Sequence, residues 1–409
     1  MEPVAGQDRH DPIEGAPPSR PPRGVLAAAF LFNLGQGVLR PSLPLYLQQF
    51  FGANYRMVTL IPVVFGAGKW AANLPTGYLL DRLGRGRLMV AGLLVIAASD
   101  VASVVVSIYA TFLGVRGVAG MGWAMFGTVA TTIMVDRSAA RGRAISFLLM
   151  SETLGLLLGS LAGGSIYQRV APTGPFVFEA GCMVLGAAVV AWSAPRATLN
   201  PRATPVAVRD WRLVRSVVRT RGVQLMSVTN AAVTAIQTGT LVFLFPLYLA
   251  ERGGLRPETV GYLVGLGVLG RLVALWLISS LSDRRDRLRL LALGLGAHGV
   301  LLGSLTVVTE PILLGFWSLM IGASAGFIAG LPTAIVGDRV APALHGVAIG
   351  WLRTITDAGM LLGPLVMGTL ADAVHLTTPF VCAALLVFVL AWLCHREALA
   401  ASSVSEASA

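Results

Sequence analysis

The chain has 409 residues, of which 55% are hydrophobic and only 12% charged, and its formal net charge is +11. This much apolar sequence excludes a soluble globular protein and indicates an integral membrane protein. The basic residues recur in short clusters between apolar runs, which is typical of membrane topology and not of a nucleic-acid-binding face. Cys182, Cys382 and Cys394 lie within apolar runs, so neither a disulfide nor a metal site is predicted.

Residues 1–23 are polar and rich in proline, which predicts a disordered cytoplasmic tail. A helix that crosses a membrane needs about twenty predominantly apolar residues. Twelve such spans are predicted, at residues 25–49, 57–80, 88–108, 110–134, 144–166, 174–194, 223–250, 259–281, 288–308, 311–335, 346–370 and 378–395.

The spans divide into two six-helix bundles, at residues 24–194 and 223–395, joined by a basic cytoplasmic linker at 195–222. Trp211 in this linker has arginines on both sides, and two interpretations stay open. The linker is either an amphipathic helix that lies on anionic headgroups or a solvated segment that only sets topology. Residues 396–409 are predicted to form a second cytoplasmic tail.

The 31 Lys and Arg residues divide unequally between the two sides of the membrane. Segments that share a side with both predicted tails hold 22 of them, four lie on the opposite side, and five lie inside spans. Because cytoplasmic loops carry an excess of basic residues, both termini and the linker are predicted to face the cytoplasm. The sequence therefore predicts a multi-pass protein of the cell's inner (plasma) membrane.

The two halves of the chain repeat each other. Pro44-Leu-Tyr-Leu47 recurs as Pro246-Leu-Tyr-Leu249, displaced by 202 residues, and Lys69 answers to Arg271 at the same offset. After a two-residue insertion the offset becomes 204, which relates Gly159 to Gly363. The repeat predicts two equivalent bundles related by an axis along the membrane normal.

The second span ends in a dense group of charges, Gly77-Tyr-Leu-Leu-Asp81-Arg82-Leu-Gly84-Arg85. A carboxylate at the C-terminal end of a helix opposes that helix's dipole, so Asp81 is predicted to contact the N-terminus of span 11. Gly77 permits close approach of that second helix, and Gly84 permits a sharp turn. The repeated pair Asp283-Arg284 is predicted to face the start of span 5 in the same way.

This stretch resembles the cytoplasmic motif Gly-x-x-x-Asp-Arg-x-Gly-Arg between helices 2 and 3 of the major facilitator superfamily. The resemblance covers essentially residues 24–395. It implies an all-α integral membrane fold in which twelve transmembrane helices form two pseudo-symmetric six-helix bundles. The fifth span, with Gly155-x-x-x-Gly159-Ser160-x-x-Gly163-Gly164, resembles the family's antiporter motif with serine in place of proline, which implies export. Close helix packing is the alternative interpretation of these glycines.

Arg116 lies in the fourth span, in a sequence that resembles the family's helix-4 motif. A guanidinium inside a membrane is costly unless it is paired or faces a cavity. The resemblance implies that Arg116 couples protons to transport, and a structural tether between helices is the alternative. Its counterpart in the second half is Ser318, so the repeat does not require a cation at this position.

Carboxyl groups inside the spans are the candidate proton carriers, because a buried carboxyl can load and release protons. Asp357 lies one helical turn from Arg353, so these two are predicted to pair, either as a fixed bridge or as a switch. Glu152, on the span that follows Arg116, is predicted to be the partner of that arginine. The full set of proton-coupling candidates is Asp100, Arg116, Glu152, Glu179, Arg353 and Asp357.

Polar and aromatic side chains inside the spans are candidates for a substrate cavity. Lys69 and Arg271 are predicted to point inward, since a cation facing lipid costs about 3 kcal/mol or more. Drug-exporting relatives often carry an acidic residue in the first helix, whereas this chain has Asn33, Gln36 and Arg40 there. The full set of cavity candidates is Asn33, Gln36, Arg40, Lys69, Trp123, Asn230, Gln237, Arg271 and Trp351.

The predicted function is a monomeric, proton-coupled exporter of small amphipathic compounds in a lipid bilayer, similar to the drug:proton antiporter branch of the superfamily. An importer or facilitator of a small organic metabolite is the alternative, and a receptor or membrane enzyme would belong to other classes. No cluster of His, Cys or carboxylate residues has catalytic spacing, which disfavours an enzyme. No cofactor is predicted, since the sequence has no phosphate-binding loop for ATP, and a proton gradient is the expected energy source.

Overall fold

The computed structural model describes residues 23–137, 141–193, 215, 217–281, 286–341 and 344–407. Within these ranges the regular structure is helical throughout. The helices are α1 (Arg23–Phe51), α2 (Tyr55–Leu83), α3 (Arg85–Val105), α4 (Tyr109–Arg137), α5 (Arg141–Arg169), α6 (Gly174–Ser193), α7 (Arg221–Glu251), α8 (Pro257–Leu281), α9 (Arg287–Leu305), α10 (Pro311–Arg339), α11 (His345–Ala373) and α12 (Thr378–Ala407).

Ten helices of the described chain, α3 to α12, are long and apolar enough to cross a membrane. Helices α1 and α2 have 29 residues each but are less apolar, because α1 carries Asn33, Gln36 and Arg40 and α2 carries Lys69 and Asn73. Both nevertheless pack inside the bundle. The membrane fold is therefore confirmed, while the count of twelve spans stays a prediction.

The C-terminal tail at residues 396–409 stays a prediction, but its described part is helical. Helix α12 continues to Ala407, and Glu397 forms ion pairs with Arg339 at 3.1 Å and with Arg221 at 3.6 Å. A run of good helix formers after Arg396 and these ion pairs to neighbouring helices explain why the helix continues beyond Arg396. The N-terminal tail before Arg23 and most of the linker, with Trp211, lie outside the described residues.

The two halves, α1–α6 and α7–α12, have the same internal packing. Helix α1 packs on α5 as α7 packs on α11, α2 packs on α4 as α8 packs on α10, and α3 packs on α6 as α9 packs on α12. The repeated Pro-Leu-Tyr-Leu segments bury their tyrosines equally, with Tyr46 1% and Tyr248 0% exposed. The sequence repeat therefore corresponds to a structural repeat.

The repeated glycines hold the inner helices together within each half. A Cβ atom on Gly159 of α5 would lie 2.1 Å from the carbonyl oxygen of Leu34 in α1. A Cβ atom on Gly363 of α11 would lie 2.4 Å from the Cβ of Ala235 in α7. These positions require glycine because the backbones approach too closely for any side chain. In this structure the antiporter-like glycine motif acts in helix packing.

Helix α7 contains a π-helical stretch at Ile236–Leu244. A π-helix is rare and is often found at functional sites. Thr238 lies within it and donates its hydroxyl to the carbonyl oxygen of Thr234 at 2.8 Å. The wider turn supplies Val242 and Phe243 to the cavity between the halves. Nothing in the residue pattern predicted this distortion.

The halves meet along two helix pairs, α2 with α11 and α5 with α8. We call the end of the bundle where α1 begins and α12 ends the terminal face, and the opposite end the distal face. Hydrogen bonds between the halves cluster at the distal face, where Arg169 contacts Glu258 at 2.5 Å and Gln48 donates to Glu251 at 2.7 Å. The described structure is therefore closed at its distal face.

Candidate functional site

A central cavity of about 300 Å³ lies between the two halves. Its wall is mostly apolar, and three of its polar members, Asn33, Gln36 and Arg40, come from successive turns of α1. Arg116 and Trp123 of α4 complete the polar and aromatic part of the wall. The lining residues are Asn33, Gln36, Leu39, Arg40, Leu43, Ile61, Pro62, Phe65, Arg116, Trp123, Leu156, Val242, Phe243 and Met360.

A second cavity of about 70 Å³, which we call the arginine cavity, adjoins the central cavity. Arg40 lines both cavities, and Arg271 of α8 lines the smaller one. Gln237 and Ser318 add neutral polar groups to its wall. Residues far apart in sequence, from α1, α7, α8 and α10, therefore meet at one place.

Beside the central cavity lies the charge cluster, formed by Asp100 of α3, Arg116 of α4 and Glu179 of α6. Arg116 Nη1 contacts Asp100 Oδ1 at 2.6 Å, and Arg116 Nη2 lies 3.9 Å from Glu179 Oε2. Gln36 of α1 donates a hydrogen bond to Glu179 Oε1. Arg116 is 2% exposed and both carboxyl groups are 0% exposed. Four helices of the first half are thus joined through charged groups shielded from water.

The charge cluster is not fully satisfied by protein partners. Among the described residues, Asp100 Oδ2, Glu179 Oε2 and Arg116 Nε are buried without a hydrogen-bond partner. The carboxyl groups of Asp100 and Glu179 both face the Arg116 guanidinium. Two facing carboxyl groups can bond only if one of them carries a proton, because ionised carboxylates are acceptors only.

The predicted pairing of Arg116 with Glu152 is wrong. Arg116 contacts Asp100 and Glu179 instead, while Glu152 is half-buried on α5 and has no hydrogen-bond or ion-pair partner among the described residues. The sequence argument relied on the order of the spans. Helix α4 packs mainly on α2 and α3, which turns Arg116 away from α5.

The predicted pair of Arg353 with Asp357 is also not formed within the described chain. Asp357 instead shares a small cavity of about 20 Å³ with Lys69 of α2. The Lys69 ammonium lies over the Trp123 ring, 3.9 Å from its centroid. A pair four residues apart on one helix gains only about 0.2–0.5 kcal/mol, which a contact between helices can outweigh.

The remaining cavity candidates have different surroundings. Lys69 and Arg271 both face cavities between helices. Asn230 donates to Thr356 at 2.7 Å, and Trp351 packs against the core of the second half. Sequence reasoning missed Ser318 as a cavity residue. Ser318 is the counterpart of Arg116 in the internal repeat, and this equivalence could have identified it.

The charged motif at the terminal end of α2 is described only in part. Gly84 has a φ of 79°, which confirms the sharp turn into α3, and Arg85 is buried. Helix α2 packs along α11, as the predicted contact of Asp81 requires. The side chain of Asp81 and residues 283–284 lie outside the described part, so Asp283 and Arg284 stay predictions.

At the distal face, two helix N-termini are capped across the interface between the halves. Asp372, at the end of α11, accepts hydrogen bonds from the backbone N–H groups of Tyr55 and Arg56 at 2.9 Å each. Gln168, at the end of α5, accepts one from the backbone N–H of Glu258 at 3.2 Å. The two caps are related by the sequence repeat, and we call them the distal caps.

Comparison with known proteins agrees with this architecture. Residues 25–331 and 228–405 match the family model described as Major Facilitator Superfamily. The "Uncharacterized MFS-type transporter YcaD" of Escherichia fergusonii is 26% identical over 311 residues, covering 76% of this chain and 78% of that protein. The protein of the same name in an Escherichia coli strain is 27% identical over 315 residues, with the same coverage.

Several solved structures share the fold. The nucleoside transporter NupG has a TM-score of 0.74 at 12% identity and covers 92% of this chain and 99% of its own. A bacterial homolog of the human lysosomal transporter Spinster, inward-facing and occupied, has a TM-score of 0.75 at 14% identity, covering 92% and 98%. The peptide transporter POT in complex with sulfate has a TM-score of 0.75 at 16% identity, covering 92% and 94%. The chain therefore belongs to the major facilitator superfamily and is a multi-pass membrane transporter rather than an enzyme.

Proposed function

We propose that this chain is a proton-coupled secondary transporter that exports small amphipathic organic compounds across the inner membrane by alternating access. The observation that carries the proposal is the charge cluster beside the central cavity, in which one arginine serves two buried carboxyl groups. The drug:proton antiporter branch remains the model for this chemistry, and the substrate class is developed in the next subsection.

The charge balance of the cluster supports a bound proton. With both carboxyl groups ionised, Arg116 would leave one negative charge unbalanced and shielded from water, which costs several kcal/mol. A proton shared by Asp100 and Glu179 removes that charge and satisfies the two facing oxygens, as in other carboxyl pairs at close range. The pair therefore offers a site where one proton can be held and released.

The cluster also has a route to the substrate. Gln36 and Arg116 both line the central cavity, and both contact Glu179. These two side chains therefore connect the buried proton site to the central cavity. A substrate in the cavity contacts the same two side chains, so its binding and proton release influence each other.

When Asp100 and Glu179 release their shared proton, the net charge of the cluster that connects α1, α3, α4 and α6 changes. A ligand or proton shifts a conformational equilibrium only by interacting differently with the two states. The cluster meets this requirement, because a carboxylate created beside Arg116 strengthens the contacts between those helices. This step links the charge state of the first half to its movement against the second half.

The proposed export direction assumes one orientation of the chain in the membrane. Of the 31 Lys and Arg residues, 22 lie in segments predicted to share a side with both termini, which supports assignment of the terminal face to the cytoplasm. The closed distal face is then the outer one, and the described structure is closed toward the outside. Export requires that substrate enter from this terminal face and that the distal contacts open.

Everted membrane vesicles that contain the full chain test the proposal. After acidification of the vesicle interior by respiration, compounds are added in turn, and reversal of the pH gradient is followed by fluorescence. A compound that reverses the gradient identifies both the substrate and proton antiport. If the transport rate of a radiolabelled compound does not change when the pH gradient is removed, the proposal is contradicted and the facilitator alternative is favoured.

Variants then locate the proton site. The double variant Asp100→Asn with Glu179→Gln is expected to abolish gradient reversal while equilibrium exchange of substrate across the membrane continues. Glu310→Gln, which removes an exposed carboxyl group at the distal face, is the matched control and is expected to behave as wild type. Loss of gradient reversal in Glu152→Gln, with the double variant unaffected, would move the proton site to α5.

A further inference from the structure

Two arginines from opposite halves of the transporter face one cavity, and no residue of the described chain pairs with either of them. Arg40 of α1 and Arg271 of α8 both line the arginine cavity, and both are half-buried. Neither forms a hydrogen bond or an ion pair with any described residue. Arg40 also lines the central cavity. The pair therefore lies where the two halves meet and where a substrate would be held.

The surrounding wall does not neutralise these charges. Neither the central cavity nor the arginine cavity has an Asp or Glu among its lining residues in the described chain. Arg116, the third cation of the walls, is already paired with Asp100. Unbalanced cations inside a membrane protein are costly and mark ion or substrate sites. The arginine cavity therefore has an excess of positive charge that an anion would balance.

A neutral polar group in the same wall also lacks a partner. Ser318 lines the arginine cavity and is 1% exposed, and its Oγ atom has no hydrogen-bond partner among the described residues. Gln237 lines the same wall from the π-helical stretch of α7. A buried hydroxyl without a partner costs free energy, and an anionic oxygen in this cavity would accept its hydrogen bond.

We propose that the substrate is a small amphipathic organic anion whose carboxylate, sulfonate or phosphate group binds between Arg40 and Arg271. A guanidinium presents a planar fork of N–H donors that matches such groups. The apolar body of the substrate lies in the central cavity against side chains such as Ile61, Phe65 and Phe243. This inference rests on the proposed transport function and names its substrate class.

The position of the pair gives it a further role. Because Arg40 belongs to the first half and Arg271 to the second, a bound anion bridges the two halves. Without the anion the two guanidinium groups repel each other across the interface, and with it they attract a common centre. Substrate binding therefore favours approach of the halves around the cavity, which is the differential interaction that alternating access requires.

Equilibrium binding to the purified full chain in detergent tests this site without proton transport. The probes are naphthalene-2-sulfonate, the cation 2-naphthylmethylammonium and the neutral 2-naphthalenemethanol, which share one apolar body. Affinity is measured from the ligand-dependent rise of the thermal midpoint. The sulfonate is expected to bind at least tenfold more tightly than the other two. Equal affinity for all three probes overturns the proposal, and so does a rise of the thermal midpoint that chloride alone produces.

Variants assign the binding to the arginine pair. Arg40→Gln and Arg271→Gln are each expected to weaken sulfonate affinity at least tenfold, about 1.4 kcal/mol, while binding of the neutral probe is unchanged. Arg252→Gln, which removes an exposed cation at the distal face, is the matched control. If the glutamine variants do not fold, Arg40→Lys and Arg271→Lys take their place. These retain the charge but lose the fork, and they are expected to bind more weakly than wild type.

The outcomes separate this inference from the proposed function. If sulfonate binding depends on both arginines but transport does not depend on the pH gradient, the anion site is supported and proton coupling is refuted. If the protein transports cations in exchange for protons and the arginine variants bind the sulfonate as wild type does, the anion site is refuted and proton coupling is supported.

Discussion

The distal caps predict that one exposed carboxylate controls which face of the transporter is open. Asp372 accepts backbone hydrogen bonds from Tyr55 and Arg56, at the N-terminus of α2, across the closed distal face. The first N–H groups of a helix have no partner within the helix, and an anion there also interacts favourably with the helix dipole. Opening the distal face exchanges these bonds for water.

The free-energy change expected for Asp372→Ala follows from the hydrogen bonds that the substitution removes. Replacing a capping Asp by Ala typically costs about 0.5–2 kcal/mol, and we take about 1–2 kcal/mol for Asp372→Ala with its two bonds. Because about 1.4 kcal/mol corresponds to a tenfold change in an equilibrium constant, the ratio of distal-closed to distal-open protein should fall roughly 5- to 30-fold. Asp372→Asn keeps an acceptor without the charge and should fall between Asp372→Ala and wild type.

Pulsed electron paramagnetic resonance can measure this shift. Spin labels at Val170 and Val307, which are 75% and 80% exposed and lie at the distal face of opposite halves, report the distance between the halves. The labelled protein carries replacements of its three free cysteines, Cys182, Cys382 and Cys394. Asp372→Ala should enlarge the population with the longer distance.

Glu310→Ala supplies the matched control. Glu310 also lies at the distal face before a helix N-terminus, that of α10, but its side chain makes no cap hydrogen bond. It should leave the distance distribution unchanged. A change of less than twofold in Asp372→Ala would show that the distal cap does not set the equilibrium. An equal shift in Glu310→Ala would assign the effect to general surface charge.

Two further predictions concern the first half. Arg116→Ala should abolish gradient-driven transport in vesicles. Arg116→Lys should restore only part of it, because lysine keeps the charge but loses the planar fork. Normal transport by folded Arg116→Ala would leave Arg116 with only a structural role between helices. Gly159→Val should lower the thermal midpoint by an amount equivalent to about 1–3 kcal/mol or prevent folding, because its Cβ would meet the Leu34 carbonyl oxygen at 2.1 Å. Gly181→Val, where a Cβ meets nothing within 4 Å, is its control, and equal effects of the two substitutions would contradict the packing argument.

Much of the architecture was accessible from sequence because the membrane restricts the solutions. Apolar length selects helices that satisfy their own backbone groups, and the unequal distribution of arginines favours one orientation. The internal repeat predicted equivalent bundles, and the structure shows equivalent helix pairs in both. Gly159 and Gly363 were also recognisable as packing positions, since small residues four apart are typical of helix contacts in membranes.

The partners of individual charges could not be predicted in the same way. Arg116 was assigned to Glu152 because their spans follow each other, yet it binds Asp100 and Glu179. Asp357 was assigned to Arg353 by helical spacing, yet it shares a cavity with Lys69. In both cases the rotation of each helix about its own axis decides the partner, and packing against several neighbours sets that rotation.

The sequence by itself determined that this protein is a helical membrane transporter with two repeated halves, because composition, charge distribution and short motifs act locally or through the bilayer. Only the tertiary structure brought Arg40 and Arg271 to one cavity and placed Asp372 over the start of α2. Both arrangements bring together residues more than two hundred positions apart. Their formation depends on how the two halves are packed against each other, and no local pattern in the chain records that arrangement.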